Sequence, residues 1–190
     1  MSPILGIWAS ANQSQYIVTS SYESIATVTV GSGGSSTITF SSIPSTYTHL
    51  QIRAITRSTR SAANSNIYLG FNNDTTTGNY YGHYLNGDGS SAGAGAKIGS
   101  TTSAIIISAA ATSTSSVFTG AVIDILDYAN TNKYKTSRSL NGYDTNGDGR
   151  IFFMSGLWMN TNAISSIQIT DALGSFAQYS SFALYGIKGA

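Results

Sequence analysis

The feature that most constrains this chain is the recurrence of strand-length apolar stretches with a period of two, closed by clusters of Gly, Asn, Asp and Ser. Alternation places one set of side chains on one face of an extended backbone, and no stretch sustains the 3.6-residue apolar period of a helix. Leu50, Ile52 and Ala54 fall on one face against Gln51, Arg53 and Ile55 on the other. Similar stretches lie at 25–30, 37–40, 67–71, 104–108, 117–128, 133–141, 151–158, 163–170 and 182–187, about ten strands in all. Gly31-Ser32-Gly33-Gly34 reads as the turn of a hairpin between the first two, a bulge is expected near Gly120, and 133–141 is polar enough for an exposed strand. The expected architecture is all-β: two packed antiparallel sheets in a jelly-roll-like sandwich, forming one domain over 21–190 behind an N-terminal extended arm over 1–20.

Composition agrees. Ser and Thr make up 53 of the 190 residues, and these favour extended and turn structure over helix. A charged fraction of 9% with 41% hydrophobic residues fits a folded core rather than a solvated tail. A net charge of +1 lacks the clustered Lys and Arg that nucleic acid or an anionic membrane demands, so neither is an expected partner. With no cysteine there is no disulfide framework and no thiolate chemistry. No apolar run approaches the length of a membrane helix, and no Lys or Arg precedes Arg53, so neither a span nor a cleaved secretion signal is expected.

Two regions stand apart. The opening Pro3-Ile4-Leu5-Gly6-Ile7-Trp8 is apolar and is followed by an uncharged polar stretch. It reads either as an edge strand on the domain's own core or as an arm docking onto a neighbour. Ile4, Leu5, Ile7 and Trp8 are the expected interface residues, because four sizeable apolar side chains left in water are an aggregation hazard. The second region, 72–103, is rich in Asn, Asp, Gly and Ser and is expected to be a long functional loop. Its Tyr80, Tyr81 and Tyr84, with Tyr128, Tyr134 and Tyr143 elsewhere, read as an interface, as a sugar-stacking surface or as tyrosines tucked under loops.

The inventory for catalysis is thin: eight carboxylates and two histidines, His49 and His83, each read as an ordinary hydrogen-bonded or exposed side chain. Asp124 and Asp127 are three apart and fall on opposite faces of a regular strand. No enzyme and no cofactor is expected. The sharpest motif is Asp144-Thr145-Asn146-Gly147-Asp148-Gly149-Arg150-Ile151, the first half of a calcium loop. Ser155 stands where the closing Glu belongs, and a strand follows. Asp144, Asn146 and Asp148 are therefore the metal candidates, for calcium, beside the reading of the same residues as a plain Asx/Gly turn.

Met1-Ser2-Pro3-Ile4-Leu5-Gly6-Ile7-Trp8-Ala9-Ser10, Tyr22-Glu23-Ser24-Ile25-Ala26-Thr27-Val28, Ile43-Pro44-Ser45-Thr46-Tyr47-Thr48-His49-Leu50-Gln51-Ile52-Arg53 and Phe182-Ala183-Leu184-Tyr185-Gly186-Ile187 together carry a resemblance. With Gly156-Leu157-Trp158 and Thr161-Asn162-Ala163-Ile164-Ser165-Ser166-Ile167, they resemble structural proteins of tailed bacteriophages, especially cyanophages. The resemblance implies a virion component without catalysis, whose partners are the major capsid protein or other virion subunits. Members occur as head decoration (cement) proteins and as tail-fibre domains. With one domain and no shaft in this sequence, the decoration role is the expected one, with a tail-fibre or receptor-binding module as the alternative and a carbohydrate-binding protein as the third. A homo-oligomer is expected, with a trimer matching the local threefolds of an icosahedral shell.

Overall fold

The computed structural model describes residues 21–189. The arm expected over 1–20, with Ile4, Leu5, Ile7 and Trp8, lies outside the described residues. Among the described residues twelve strands form two antiparallel sheets. The smaller contains β2 (Thr37–Phe40), β4 (Asn64–Phe71), β7 (Ser103–Ala109) and β11 (Ile167–Asp171), in the order β2-β11-β4-β7. The larger contains β1 (Tyr22–Thr29), β3 (His49–Thr56), β5 (Tyr80–Gly87), β6 (Ala92–Ser100), β8 (Thr119–Leu126), β9 (Lys135–Asp144), β10 (Gly149–Trp158) and β12 (Ser181–Ile187). Its order is β1-β12-β3-β8-β9-β10-β5-β6.

Eight of these strands form a nested set. β1 pairs with β12 and β3 with β8 in one sheet, while β2 pairs with β11 and β4 with β7 in the other. That is the wrapping of a jelly roll. The remaining four, β9, β10, β5 and β6, are two hairpins inserted within it that extend the larger sheet beyond the smaller one.

The core lies between the sheets. Leu50, Ile52 and Ala54 of β3, Ala121, Ile123 and Ile125 of β8, and Ile67 and Leu69 of β4 are buried, as alternation predicts for half-buried strands. At one end Trp158 stacks with Tyr80 and tilts against Phe71 at 5.4 Å between ring centroids. Its indole Nε1 donates to Asp74 Oδ2 at 2.7 Å. At the other end Asp171 is buried; its Oδ1 accepts from Ser65 Oγ at 2.7 Å, its Oδ2 from Ser58 Oγ, and Oδ1 also from the Leu173 amide.

Four expectations need correction. The first two strands are not a hairpin: β1 and β2 lie in different sheets, and the glycine turn carries the chain across the sandwich. The region 72–103 is not a loop, since β5 and β6 occupy most of it. Gly120 is not at a bulge; it pairs regularly with Ile55 and Gly142, and register shifts fall at Ser24/Ala26, Ile67/Tyr68 and Tyr80/Gly82. β9 is not an exposed strand but a central one, with Lys135, Ser137, Ser139 and Asn141 buried.

The polarity of β9 has a structural cause. β7 is an edge strand of the smaller sheet, and an edge leaves backbone groups that need partners when buried. Side chains of the opposite sheet supply them. Ser139 Oγ donates to the Ile105 carbonyl at 2.5 Å, the Ile107 amide donates to Asn141 Oδ1 at 3.0 Å, and the Ala109 amide donates to Thr119 Oγ1 at 2.8 Å. Lys135 Nζ donates to the carbonyls of Lys133 and Thr161. Burial pushes its ammonium pKa down.

Candidate functional site

Two surfaces stand out among the described residues: the outer face of the larger sheet, and a cleft on its opposite face beneath the inserted hairpins.

On the outer face, cross-strand register aligns Arg53, Val122, Leu140, Phe153 and Leu85 in one row over β3, β8, β9, β10 and β5. The neighbouring row runs Ile55, Gly120, Gly142, Ile151 and Gly87. The apolar side chains of the two rows are 40–60% exposed. The glycines leave a groove between Ile55 and Ile151, and a Cβ on Gly120 would meet nothing within 4 Å. A polar row borders the apolar ones. Asp124 accepts from Gln51 Nε2 at 2.8 Å and from Arg138 Nε at 3.0 Å, and Gln51 Oε1 accepts from Tyr22 Oη at 2.7 Å. An apolar patch crossing five strands and rimmed by polar groups is the usual signature of a contact surface.

The cleft lies between the β10–β5–β6 extension and the β4–β7 pair, with a volume of about 370 Å³. Its floor is a small separate apolar cluster of Ile107, Phe152 and Met154. Tyr84 forms one wall beside Phe152, with ring centroids 6.3 Å apart. The glycine-rich β6 makes this possible, since a Cβ on Gly95 would lie 2.5 Å from Tyr84 Oη. Lys97 sits with Nζ 4.1 Å from the Tyr68 ring centroid, and burial pushes its pKa down. Asn64 and Asn66 of β4, Asn86 of β5 and Arg150 of β10 complete the polar lining.

The expected interface tyrosines separate. Tyr80 is a core residue, not an interface one: the Phe71 amide donates to its hydroxyl at 2.9 Å, and burial pushes its pKa up to about 12. Tyr128 is buried and its hydroxyl donates to the Pro44 carbonyl. Tyr81 is half-buried, Tyr84 borders the cleft, and Tyr134 is exposed away from both surfaces.

Asp144, Asn146 and Asp148 form the β9–β10 turn. Asp144 Oδ1 accepts the Asn146 amide at 3.0 Å, the Thr145 amide donates to the Asp148 carbonyl at 2.6 Å, and Asp148 Oδ1 accepts the Gly149 amide at 2.9 Å. Asn146 and Gly147 take positive φ, which Asn and Gly tolerate best. Among the described residues no group of three or more His, Cys, Asp or Glu could hold a metal ion. Calcium or a chelator is expected to leave the melting temperature unchanged; a rise with calcium that Asp144→Asn with Asp148→Asn abolishes would assign a metal to this turn. His49 Nδ1 accepts the Asp127 amide at 2.9 Å, and His83 is exposed on the outer face, so the histidines converge on no common point.

No family model and no curated protein matches the chain. Among solved structures it was compared with the CBM40 of Ruminococcus gnavus IT-sialidase bound to alpha2,3 sialyllactose, at 7% identity and a TM-score of 0.23, over 87% of this chain and 92% of that one. A candidate pore-forming toxin from Bacteroides vulgatus stands at 6% identity and a TM-score of 0.07, over 83% and 60%. Likeness at this level carries no argument about fold or function.

Proposed function

We propose that this chain is a non-enzymatic structural subunit of a virion, a capsid decoration or cement protein whose outer sheet face meets the shell. The observation that carries the reading is the exposed apolar patch across β3, β8, β9, β10 and β5. These side chains are already about half buried, so covering the remainder is worth roughly 0.7 to 1.5 kcal/mol each, several kcal/mol over the patch before ordering costs. The resemblance of the sequence to tailed-phage structural proteins supports the virion setting, and the polar row beside the patch supplies a rim. The jelly roll itself carries no weight, because the same fold serves capsids and lectins alike.

Protein quantification in purified particles tests the setting. Copies in the hundreds fit a shell, a few to a few dozen fit a tail fibre, and absence from particles ends the virion reading. Leu140→Lys with Phe153→Lys tests the face. Both side chains are about half exposed and stand directly opposite each other, so unfolding free energy should fall by about 1 to 2 kcal/mol, partly from the like charges placed in register, which leaves the fold intact. Particle occupancy should fall at least about tenfold; unchanged occupancy would remove this face from the contact.

A further inference from the structure

We infer that the cleft between the β10–β5–β6 extension and the β4–β7 pair binds a saccharide carrying a carboxylate. The cleft opens on the opposite side of the sheet from the outer face, although Arg150 borders both, so the inference is tested on the isolated protein, apart from the assembly role.

Four observations lead to that ligand class. The cleft gathers two cations, Lys97 and Arg150, and no carboxylate lines it. Among the described residues neither cation takes part in an ion pair: the four pairs present use His49, Lys133, Arg138 and Lys188. Arg150 also borders a depression holding Asp88, Asp144 and Asp148 but pairs with none of them, so both cations remain open to an anion, and a guanidinium matches a carboxylate through two parallel hydrogen bonds.

The amides come next. Asn64, Asn66 and Asn86 reach the cleft from two different sheets, and no hydrogen bond within the described residues engages their side chains. Each amide offers donors and an acceptor, the pairing that vicinal hydroxyls satisfy. A simple anion would accept from the cations and the amide NH2 groups but leave the three amide oxygens idle, whereas sugar hydroxyls use both.

The walls supply the third feature. Tyr84 presents aromatic surface above the buried floor of Phe152, Met154 and Ile107, which suits the C–H face of a sugar ring. Size is the fourth. A volume of about 370 Å³ falls at the lower end of ligand pockets, suiting one or two sugar residues and not an extended polymer.

The local sequence builds this shape at a cost to strand propensity. Gly93 and Gly95 of β6 face Asn86 and Tyr84, and Cβ atoms there would lie 2.8 Å from Asn86 Oδ1 and 2.5 Å from Tyr84 Oη. Glycine weakens a strand interior, and its usual compensation is close approach of another group. Here that group is the cleft wall.

Isothermal titration of the isolated protein provides the test, with three probes: a disaccharide containing glucuronic acid, the same disaccharide reduced to its neutral sugar, and sodium acetate. Binding of the acidic disaccharide is expected, at least about tenfold weaker binding of the neutral one, and no competition by equimolar acetate. Lys97→Met keeps the apolar stem while removing the charge, and Arg150→Gln keeps a polar head; each should cost about tenfold or more in affinity with an unchanged melting temperature. Asn66→Ala should weaken both sugars. Equal binding of the two disaccharides, displacement by acetate, no heat with any probe, or full affinity in both charge variants would each overturn the proposal. Particle copy number has no bearing on these outcomes, and leaves the assembly role to be judged separately.

Discussion

Trp158→Ala is expected to lower the free energy of unfolding by about 4 kcal/mol, the upper part of the range for large aromatic truncations in a core. Trp158 is buried where the two sheets meet, against Tyr80 and Phe71, and its removal opens a cavity that the rings on either side cannot close. It also strips Asp74 of an indole donor. Burial pushes the Asp74 carboxyl up, but hydrogen bonds from Thr76, Asn79 and Trp158 outweigh this and hold it well below the usual carboxylate range. A depressed folded pKa adds stability that is present above the unfolded value of about 4 and is lost as pH falls through the folded one. Urea unfolding at neutral pH measures the whole loss. A loss under about 1 kcal/mol would mean that this end of the sandwich tolerates a void.

Asp171→Ala is expected to cost about 3 kcal/mol, by a different route. Little apolar contact disappears; the damage is that Ser58 and Ser65, both fully buried, lose the acceptor that their hydroxyls share, and the Leu173 amide loses its own. A buried donor without a partner carries its full desolvation penalty. The same carboxylate ties the end of β11 to β4 and to the segment beyond β3, so the substitution should also speed amide exchange there. Asp171→Asn, which keeps one acceptor, should recover part of the loss. If the alanine and asparagine variants unfold at the same urea concentration as the parent, the cluster adds nothing.

The two residues illustrate what a single sequence discloses. β3 was legible because one face is buried and the other wet, so Leu50, Ile52 and Ala54 alternate cleanly. β5 and β6 were not, because the hairpin projects past the smaller sheet and buries neither face fully, leaving no alternation to read. β9 misled for the opposite reason: its buried side chains are polar, since they serve the backbone edge of β7. Tyr80 sits among Asn, Gly and other tyrosines, and only the pairing of β5 with β10 brings it against Trp158. The cleft was invisible for a related reason. Asn64, Asn86, Lys97 and Arg150 come from four strands without shared spacing, and strand order alone assembles them. The outer patch was within reach, since Val122, Leu140 and Ile151 all fall opposite to core positions, but its continuity depends on register between strands distant in sequence.

The nested pairing of the eight core strands also sets an order of events for a chain finding its shape. Joining β9 to β10 closes four intervening residues, whereas joining β1 to β12 closes almost the whole molecule. Loop-closure entropy grows with the logarithm of the loop, so the outermost pair costs about 3 kcal/mol more to bring together than the hairpin. The inserted hairpins therefore mature early and the β1–β12 seam last, as β12 enters the gap between β1 and β3. A polypeptide released before residue 181 would retain its hairpins but leave two strand edges of the larger sheet open, and those open edges are where intermolecular pairing would begin.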